Sequence, residues 1–145
     1  MCCLILAHAA VRMYCGLGLP AEDGMLRCGV DLIETERVRA GVDRFGARFL
    51  DRFFTPAERM LCEDQPMRLA ARLAAKEAVA KALGTGIGVV RWVDIEILAD
   101  ADNRPVLHLH GEAAHAAAER QLSDWDVSLS HTRDHAIAMV VALSR

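Results

Sequence analysis

A long run of helix-forming residues that ends in a glycine cluster constrains the fold of this chain more than any other feature. Residues 67–83 are rich in Ala, Leu, Arg and Lys, which all favour helices. Gly84 ends the run, and the glycines of residues 84–88 predict a loop. The sequence therefore predicts one long helix followed by a turn whose backbone N–H groups can hold phosphate, although many helices end in glycine without binding anything.

The other segments alternate between strand and helix patterns. Residues 55–58 form a capping box with proline at the first helical position, and the helical spacing before them is broken near Gly41 and Gly46. The order predicts an α+β fold in which a small antiparallel sheet packs with helices. In chain order we expect a strand over 26–33, a broken helix over 34–49, helices over 55–62 and 67–83, strands over 92–98 and 105–110, a helix over 111–122, and strands over 126–131 and 135–143.

Composition limits the class of protein. The chain has 145 residues, which suits one domain, and no apolar run is long enough for a transmembrane helix. A net charge of −3 argues against a general nucleic-acid binder. The five cysteines are odd in number and lack zinc or disulfide spacing, so a cytoplasmic location is expected.

The first 24 residues differ in character from the rest. They hold three of the five cysteines, show no clear period and end in a Pro-Ala-Glu-Asp-Gly stretch typical of a linker. No basic region precedes their apolar part, as a secretory signal requires. We expect a poorly ordered extension over residues 1–24, either a real tail or an artefact of start-site choice, and a functional domain over 25–145.

Two acidic residues stand in apolar segments. Asp31 lies in the first predicted strand and Glu77 in the long helix. A carboxylate among apolar residues is costly unless it is paired or binds a cation. Two carboxylates, with phosphate oxygens and waters, would suit magnesium. Asp31 can alternatively cap the helix that follows the strand.

Lysine occurs only at Lys76 and Lys81, although Lys and Arg together number 17. A lysine ammonium is a compact charge that suits a phosphate oxygen in a tight space. Glu77 and Lys81 are four residues apart and share a helix face. The alternatives are a solvated helix face and a routine surface ion pair.

One histidine ends a predicted strand. In Ser128-Leu129-Ser130-His131 the side chains alternate, so His131 shares a face with Leu129. His131 can donate to a phosphate or be structural. No G-x-S-x-G motif is present, so a serine hydrolase is a poor fit.

Together these segments resemble the holo-acyl-carrier-protein synthases, which are small phosphopantetheinyl transferases. The resemblance extends from about residue 26 to the C-terminus, and the run over residues 72–86 is highly specific. The matching motifs are G-V-D at 29–31 with Glu34 and Arg37, F-T-P-A-E at 54–58, R-L-A-A-K-E-A-V-A-K-A-L-G-T-G at 72–86, W-V-D-I-E-I at 92–97 and S-L-S-H-T at 128–132.

The resemblance implies a reaction and a set of site residues. The family transfers 4′-phosphopantetheine from coenzyme A to a serine of an apo acyl carrier protein and releases adenosine 3′,5′-bisphosphate. Asp31 and Glu77 would hold Mg²⁺, and Lys81 and His131 would contact phosphate oxygens. The base is either Glu77 or a magnesium-associated water. Gly84, Thr85 and Gly86 would line the adenosine phosphate pocket.

The resemblance also implies partners. Carrier proteins are acidic, and Arg37 matches a family position for carrier contacts. Arg44 and Arg48 follow at i+7 and i+11, so we expect a docking stripe if one helix carries all three; a solvated basic face is the alternative. Members of this class form homotrimers with active sites between subunits. Fatty-acid and polyketide carriers both match.

Two other functions compete with phosphopantetheine transfer. The chain could be a catalytically inactive module that binds carrier proteins with the same fold, or a protein whose helices only build an oligomer. The complete set of Asp31, Glu77, Lys81 and His131 argues against the first. The second predicts no affinity for coenzyme A.

Overall fold

A computed structural model describes residues 24–144 and confirms the predicted α+β class. The predicted extension lies outside the described residues except for Gly24. In chain order the elements are β1 (Leu26–Glu34), α1 (Thr35–Phe45), α2 (Ala47–Phe53), α3 (Pro56–Cys62), α4 (Pro66–Leu83), a 3₁₀ turn (Trp92–Asp94), β2 (Ile95–Ala99), β3 (Pro105–Leu109), α5 (Gly111–Glu119), β4 (Leu122–His131) and β5 (His135–Ser144).

The sheet that carries the site has three antiparallel strands in the order β1-β5-β4. Its inner face packs against α4 through small side chains such as Ala136, Ala138 and Val140, which are fully or almost fully buried. At Gly29 the two elements come so close that a Cβ would overlap the carbonyl oxygen of Ala78. This close approach brings β1 directly against the face of α4.

The opposite face of this sheet is apolar and exposed. In β1 and β5, alternate side chains point away from α4 because side chains of a strand alternate between faces. We call this surface the outer sheet face. Its large exposed hydrophobic residues are Leu26, Val30, Leu32, Ile137, Met139 and Leu143.

The remaining elements cover the other side of α4. Strands β2 and β3 form a separate antiparallel hairpin, and α3 begins at a capping box between Thr55 and Glu58, as predicted. Within residues 24–144, no helix is both long enough and apolar enough to cross a membrane.

The break predicted near Gly46 is confirmed, whereas the break predicted near Gly41 and several element boundaries are wrong. The broken helix over 34–49 is two helices separated at Gly46, with φ of +54°, whereas Gly41 lies inside α1 against the ring of Phe49. Strand β2 begins at Ile95 because the preceding residues form a 3₁₀ turn that an Arg91–Asp94 ion pair closes. Helix α5 ends at Glu119 and β4 begins at Leu122, so both boundaries fall before those predicted.

Candidate functional site

The structure brings Asp31 and Lys81 together from β1 and α4. Lys81 Nζ lies 2.8 Å from Asp31 Oδ1 and donates a second hydrogen bond of 2.8 Å to the carbonyl of Val30. The Asp31 side chain is 18% exposed, whereas that of Lys81 is 52% exposed. The carboxylate in the strand is therefore paired, and the ammonium remains within reach of solvent and ligands.

Glu77 belongs to the same charged cluster. Burial raises the pKa of Glu77, and the negative charge of Asp31 raises it further. The positive charges of Lys81 and Arg37 act in the opposite direction. Glu77 therefore lies within electrostatic range of Asp31, Lys81 and Arg37.

The chemistry of this cluster fits a divalent cation. Asp31 and Glu77 offer carboxylate oxygens, the ligand type that Mg²⁺ prefers, and their mutual repulsion would be relieved by a cation between them. No group of three or more His, Cys, Asp or Glu side chains in the described part of the chain is arranged to hold a metal by itself. Substrate oxygens and water would have to supply the other ligands.

The glycine loop after α4 has the conformation and the unused polar atom of a binding loop. Gly84 caps α4 with φ of +74°, and Gly86 has φ of +69°. The hydroxyl of Thr85 is buried and has no hydrogen-bond partner among the residues that the structure describes. A buried hydroxyl without a partner is costly, and a ligand oxygen would satisfy it.

A cavity of about 410 Å³ opens beside Glu77. Its walls are mainly apolar and include Phe53 and Trp92, whose ring centroids are 4.9 Å apart. Arg37 and Arg52 supply positive charge at the same cavity. The cavity therefore combines a carboxylate, two cations and an aromatic wall.

His131 stands apart from the cluster. It is exposed at the end of β4, opposite Ala136 of β5, which in turn is opposite Ile33 of β1. His131 and Asp31 thus share the inner sheet face, but a whole strand separates them. Between residues 24 and 144, no hydrogen bond or ion pair joins His131 to Asp31, Glu77 or Lys81. Of the four residues that the sequence groups together, one chain therefore brings together Asp31, Glu77 and Lys81 but not His131.

The predicted arginine stripe is not carried by one helix. Arg37 and Arg44 lie on α1, but Arg48 lies on α2 beyond the break at Gly46, so the spacing argument does not apply. Arg37 lines the cavity beside Glu77, and the guanidinium of Arg44 lies 5.0 Å from the ring of Phe45. Arg48 lines a neighbouring groove of about 390 Å³ with Phe45, Phe49, Arg52 and Phe53.

Lys76 agrees with neither sequence interpretation of the lysine pair. Its side chain is 0% exposed, so it neither lies on a solvated face nor reaches a ligand. It forms a buried ion pair with Glu58, at 2.7 Å. The two lysines thus have different roles although both lie on α4.

Sequence reasoning missed three residues at the site. Arg52 and Trp92 line the cavity, and an Arg27 nitrogen lies 3.2 Å from where a Cβ of Gly84 would stand. All three reach the site through tertiary packing. Their local sequence carries no signal for this, apart from Trp92, which lies in one of the family motifs.

Comparisons with known proteins agree with this geometry. A family model described as the 4′-phosphopantetheinyl transferase superfamily matches residues 27–140. The chain is 48% identical over 126 residues to a holo-[acyl-carrier-protein] synthase of Herpetosiphon aurantiacus, with 82% of this chain and 99% of the relative covered.

Solved structures of similar proteins have the same fold. The Helicobacter pylori holo-[acyl-carrier-protein] synthase in complex with coenzyme A superposes with a TM-score of 0.73 and 34% identity, covering 79% of this chain and 98% of that one. A holo-(acyl-carrier-protein) synthase from Bacillus anthracis, in complex with CoA (3′,5′-ADP), gives a TM-score of 0.69 and 31% identity, covering 84% and 99%.

Proposed function

Because this chain belongs to the 4′-phosphopantetheinyl transferase superfamily, we propose that it is a holo-[acyl-carrier-protein] synthase. It transfers 4′-phosphopantetheine from coenzyme A to a serine of an apo acyl carrier protein. The observation that carries the proposal is the cluster of Asp31, Glu77 and Lys81 between a glycine loop and a cavity. No observation favours an inactive binding module, since these charged groups are all in place.

The reaction breaks the phosphoanhydride bond of coenzyme A and forms a phosphodiester. The serine oxygen of the carrier attacks the β-phosphorus of coenzyme A, a new oxygen–phosphorus bond forms, and the bond to adenosine 3′,5′-bisphosphate breaks. The serine proton needs a base. Glu77 suits this role because its carboxylate lines the cavity and can accept a proton there. A magnesium-associated water is the alternative.

Asp31 and Glu77 would hold the Mg²⁺. When bound, the ion would neutralise charge that develops on the pyrophosphate. Lys81 would exchange its bond to Asp31 for a phosphate oxygen, since its ammonium is the exposed member of the pair. The Thr85 hydroxyl and the backbone of Gly84 and Gly86 would bind the adenosine phosphates.

The acidic carrier protein would dock on α1 and α2. Arg37 stands closest to the reaction, beside Glu77, and Arg44 and Arg48 extend the positive surface past the break at Gly46. Opposite charges at such a surface speed association and set orientation.

The protein would work in the cytoplasm, where the free thiols of Cys28 and Cys62 stay reduced.

The active form would be a homotrimer. Two observations support this: the outer sheet face leaves large apolar residues exposed, and His131 is separated from the cluster by β5. In a trimer with active sites between subunits, His131 of one protomer would contact the coenzyme A phosphates held by its partner.

The domain would begin near Met25, with residues 1–24 as an appendage.

The test is a transfer assay followed by mass spectrometry of the carrier. The full chain is incubated with coenzyme A, Mg²⁺ and an apo acyl carrier protein. We expect the carrier to gain the mass of phosphopantetheine and expect chelator to prevent the gain. Glu77→Gln is the control, because it keeps the shape of the side chain but removes a metal ligand and a base. No gain with either fatty-acid or polyketide carriers would overturn the proposal.

A further inference from the structure

Lys76 is buried in a site that uses all of its hydrogen-bonding capacity. A lysine ammonium has three N–H donors. Lys76 Nζ donates to Glu58 Oε2 at 2.7 Å, to the carbonyl of Trp92 at 2.9 Å and to the carbonyl of Ile95 at 2.6 Å. No donor remains for a substrate, so Lys76 contributes only through the groups that it holds.

Both carboxylate oxygens of Glu58 also accept hydrogen bonds within the protein. Besides Lys76, it accepts hydrogen bonds from the backbone N–H groups of Thr55 and Ile97, each at 2.9 Å. The pair therefore joins four elements, namely the start of α3, the middle of α4, the 3₁₀ turn and β2. None of these bonds is made to a surface group.

One of the two carbonyls that Lys76 holds belongs to a residue of the cavity wall, whereas the other belongs to the buried Ile95 of β2. Trp92 lines the cavity that contains Glu77, and it is also the first residue of the element after the glycine loop. That loop is fixed at one end by the C-cap of α4. Beyond its other end, residues 89–91 connect the loop to Trp92, so the hydrogen bond from Lys76 to Trp92 holds the far side of this connection.

We propose that Lys76 is a positioning residue for phosphopantetheine transfer: with Glu58, it fixes Trp92 and the end of the glycine loop relative to Glu77. This inference rests on the proposed function. Adjacent residues on a helix point about 100° apart, so α4 places Glu77 in the cavity and Lys76 in the core behind it. The planar, five-donor guanidinium of arginine does not match three acceptors around one nitrogen, which explains a lysine in an arginine-rich chain.

The experiment compares Lys76→Met with the double variant Glu58→Gln/Lys76→Met in the full chain. Removing Lys76 alone leaves a buried carboxylate unpaired and lowers stability. The double variant removes both charges, so it should regain much of this stability while still leaving the Trp92 and Ile95 carbonyls unheld. Leu122→Ala is the control, because it lowers stability at a buried position of β4 outside the site.

Two readouts separate positioning from stability. We expect both Lys76 variants to raise the KM for coenzyme A by about tenfold or more, since a glycine loop held less firmly would bind the adenosine phosphates less tightly and a tenfold change corresponds to about 1.4 kcal/mol of lost binding. The KM for the carrier should stay within about twofold, and Leu122→Ala should change neither KM at a temperature where it is folded. In a Trp125→Phe background, the emission of Trp92 should shift in both variants.

A double variant with wild-type KM for coenzyme A and unchanged Trp92 emission would overturn the inference and leave the pair a purely structural one. If the wild-type chain transfers nothing, the proposed function fails instead. The Trp92 emission then still tests whether Lys76 holds the cavity wall.

Discussion

Lys81 connects two parts of the site that are 50 residues apart in the chain. Its ion pair with Asp31 is half exposed, and such pairs contribute little to stability, about 0–1 kcal/mol. We therefore expect Lys81 to contribute more to the binding of coenzyme A than to the stability of the fold.

Lys81→Ala should raise the KM for coenzyme A by about tenfold or more and leave the free energy of unfolding within about 1 kcal/mol of wild type. The physical reason is the loss of the exposed ammonium that would meet a phosphate oxygen. Steady-state kinetics and urea unfolding measure the two quantities. Arg39→Ala, which removes another exposed cation with an ion pair, is the matched control. If Lys81→Ala leaves the kinetics unchanged, Lys81 is only a residue of a solvated helix face and does not bind coenzyme A.

Glu96 predicts how stability depends on pH. Burial opposes its ionisation, but hydrogen bonds from Thr55 and His110 outweigh burial and lower the pKa of Glu96. A carboxylate with a lowered pKa stabilises the fold above its ordinary pKa, and this contribution is lost as the pH falls through the folded value.

Glu96→Gln should therefore cost about 1–3 kcal/mol at pH 7 and much less below about pH 4. Urea unfolding of both proteins at the two pH values measures the difference. Glu112→Gln, an exposed carboxylate on α5, supplies the control. A cost that stays constant across the pH range would contradict the assignment.

The proposed docking of the carrier protein on α1 can be tested by reversing a charge. Arg37→Glu should raise the KM for the carrier more than tenfold and that for coenzyme A much less, because the reversed charge would repel an acidic partner. Initial rates at varied concentrations of each substrate give both values. Arg39→Glu tests the same reversal on the same helix outside the cavity of Glu77. Equal effects of Arg37→Glu on the two KM values would argue against docking at α1.

The sequence predicts the elements whose signals are local. Helix α4 follows from its helix formers and terminal glycine, and α3 from its capping box. The 3₁₀ turn is not predictable in this way, because Asp94 is fixed by Arg91 and by the N–H of His110, which precedes α5. The burial of Lys76 has the same cause, since its partners lie 16 to 19 residues away in the chain.

The candidate site divides in the same manner. Asp31, Glu77 and Lys81 could be placed together from motifs and helix spacing, and the structure brings them together. The aromatic wall of Phe53 and Trp92 and the positive charge of Arg52 come from packing between α2 and the 3₁₀ turn. Trp92 lies in a family motif, but no pattern in the sequence places it against Phe53 and Arg52.

In the part of the chain that the structure describes, the outer sheet face leaves six large apolar side chains exposed. Met139 is 53% exposed at the centre of the outer sheet face, between Val30 of β1 and Ser128 of β4. A lysine there would bring an unpaired charge into any interface formed on this face.

Met139→Lys should convert the proposed trimer to a folded monomer and lower transfer by at least about tenfold, because each active site would lose His131 of its partner. Light scattering after gel filtration gives the mass, and circular dichroism checks the fold. Met60→Lys, at an 80% exposed position of α3, should stay assembled and active. A fully active monomeric Met139→Lys would show that one chain completes the site.

The contact between Gly29 and α4 has a consequence for how tolerance to substitution is interpreted. Any side chain at position 29 would press on the backbone of Ala78 and separate β1 from α4, so Asp31 and Lys81 would part. In a saturation library selected for activity, position 29 should therefore tolerate as few substitutions as position 31. The two positions should differ in the yield of folded protein. Substitutions at position 29 should lower this yield, whereas Asp31→Asn should leave it unchanged and remove only a charge.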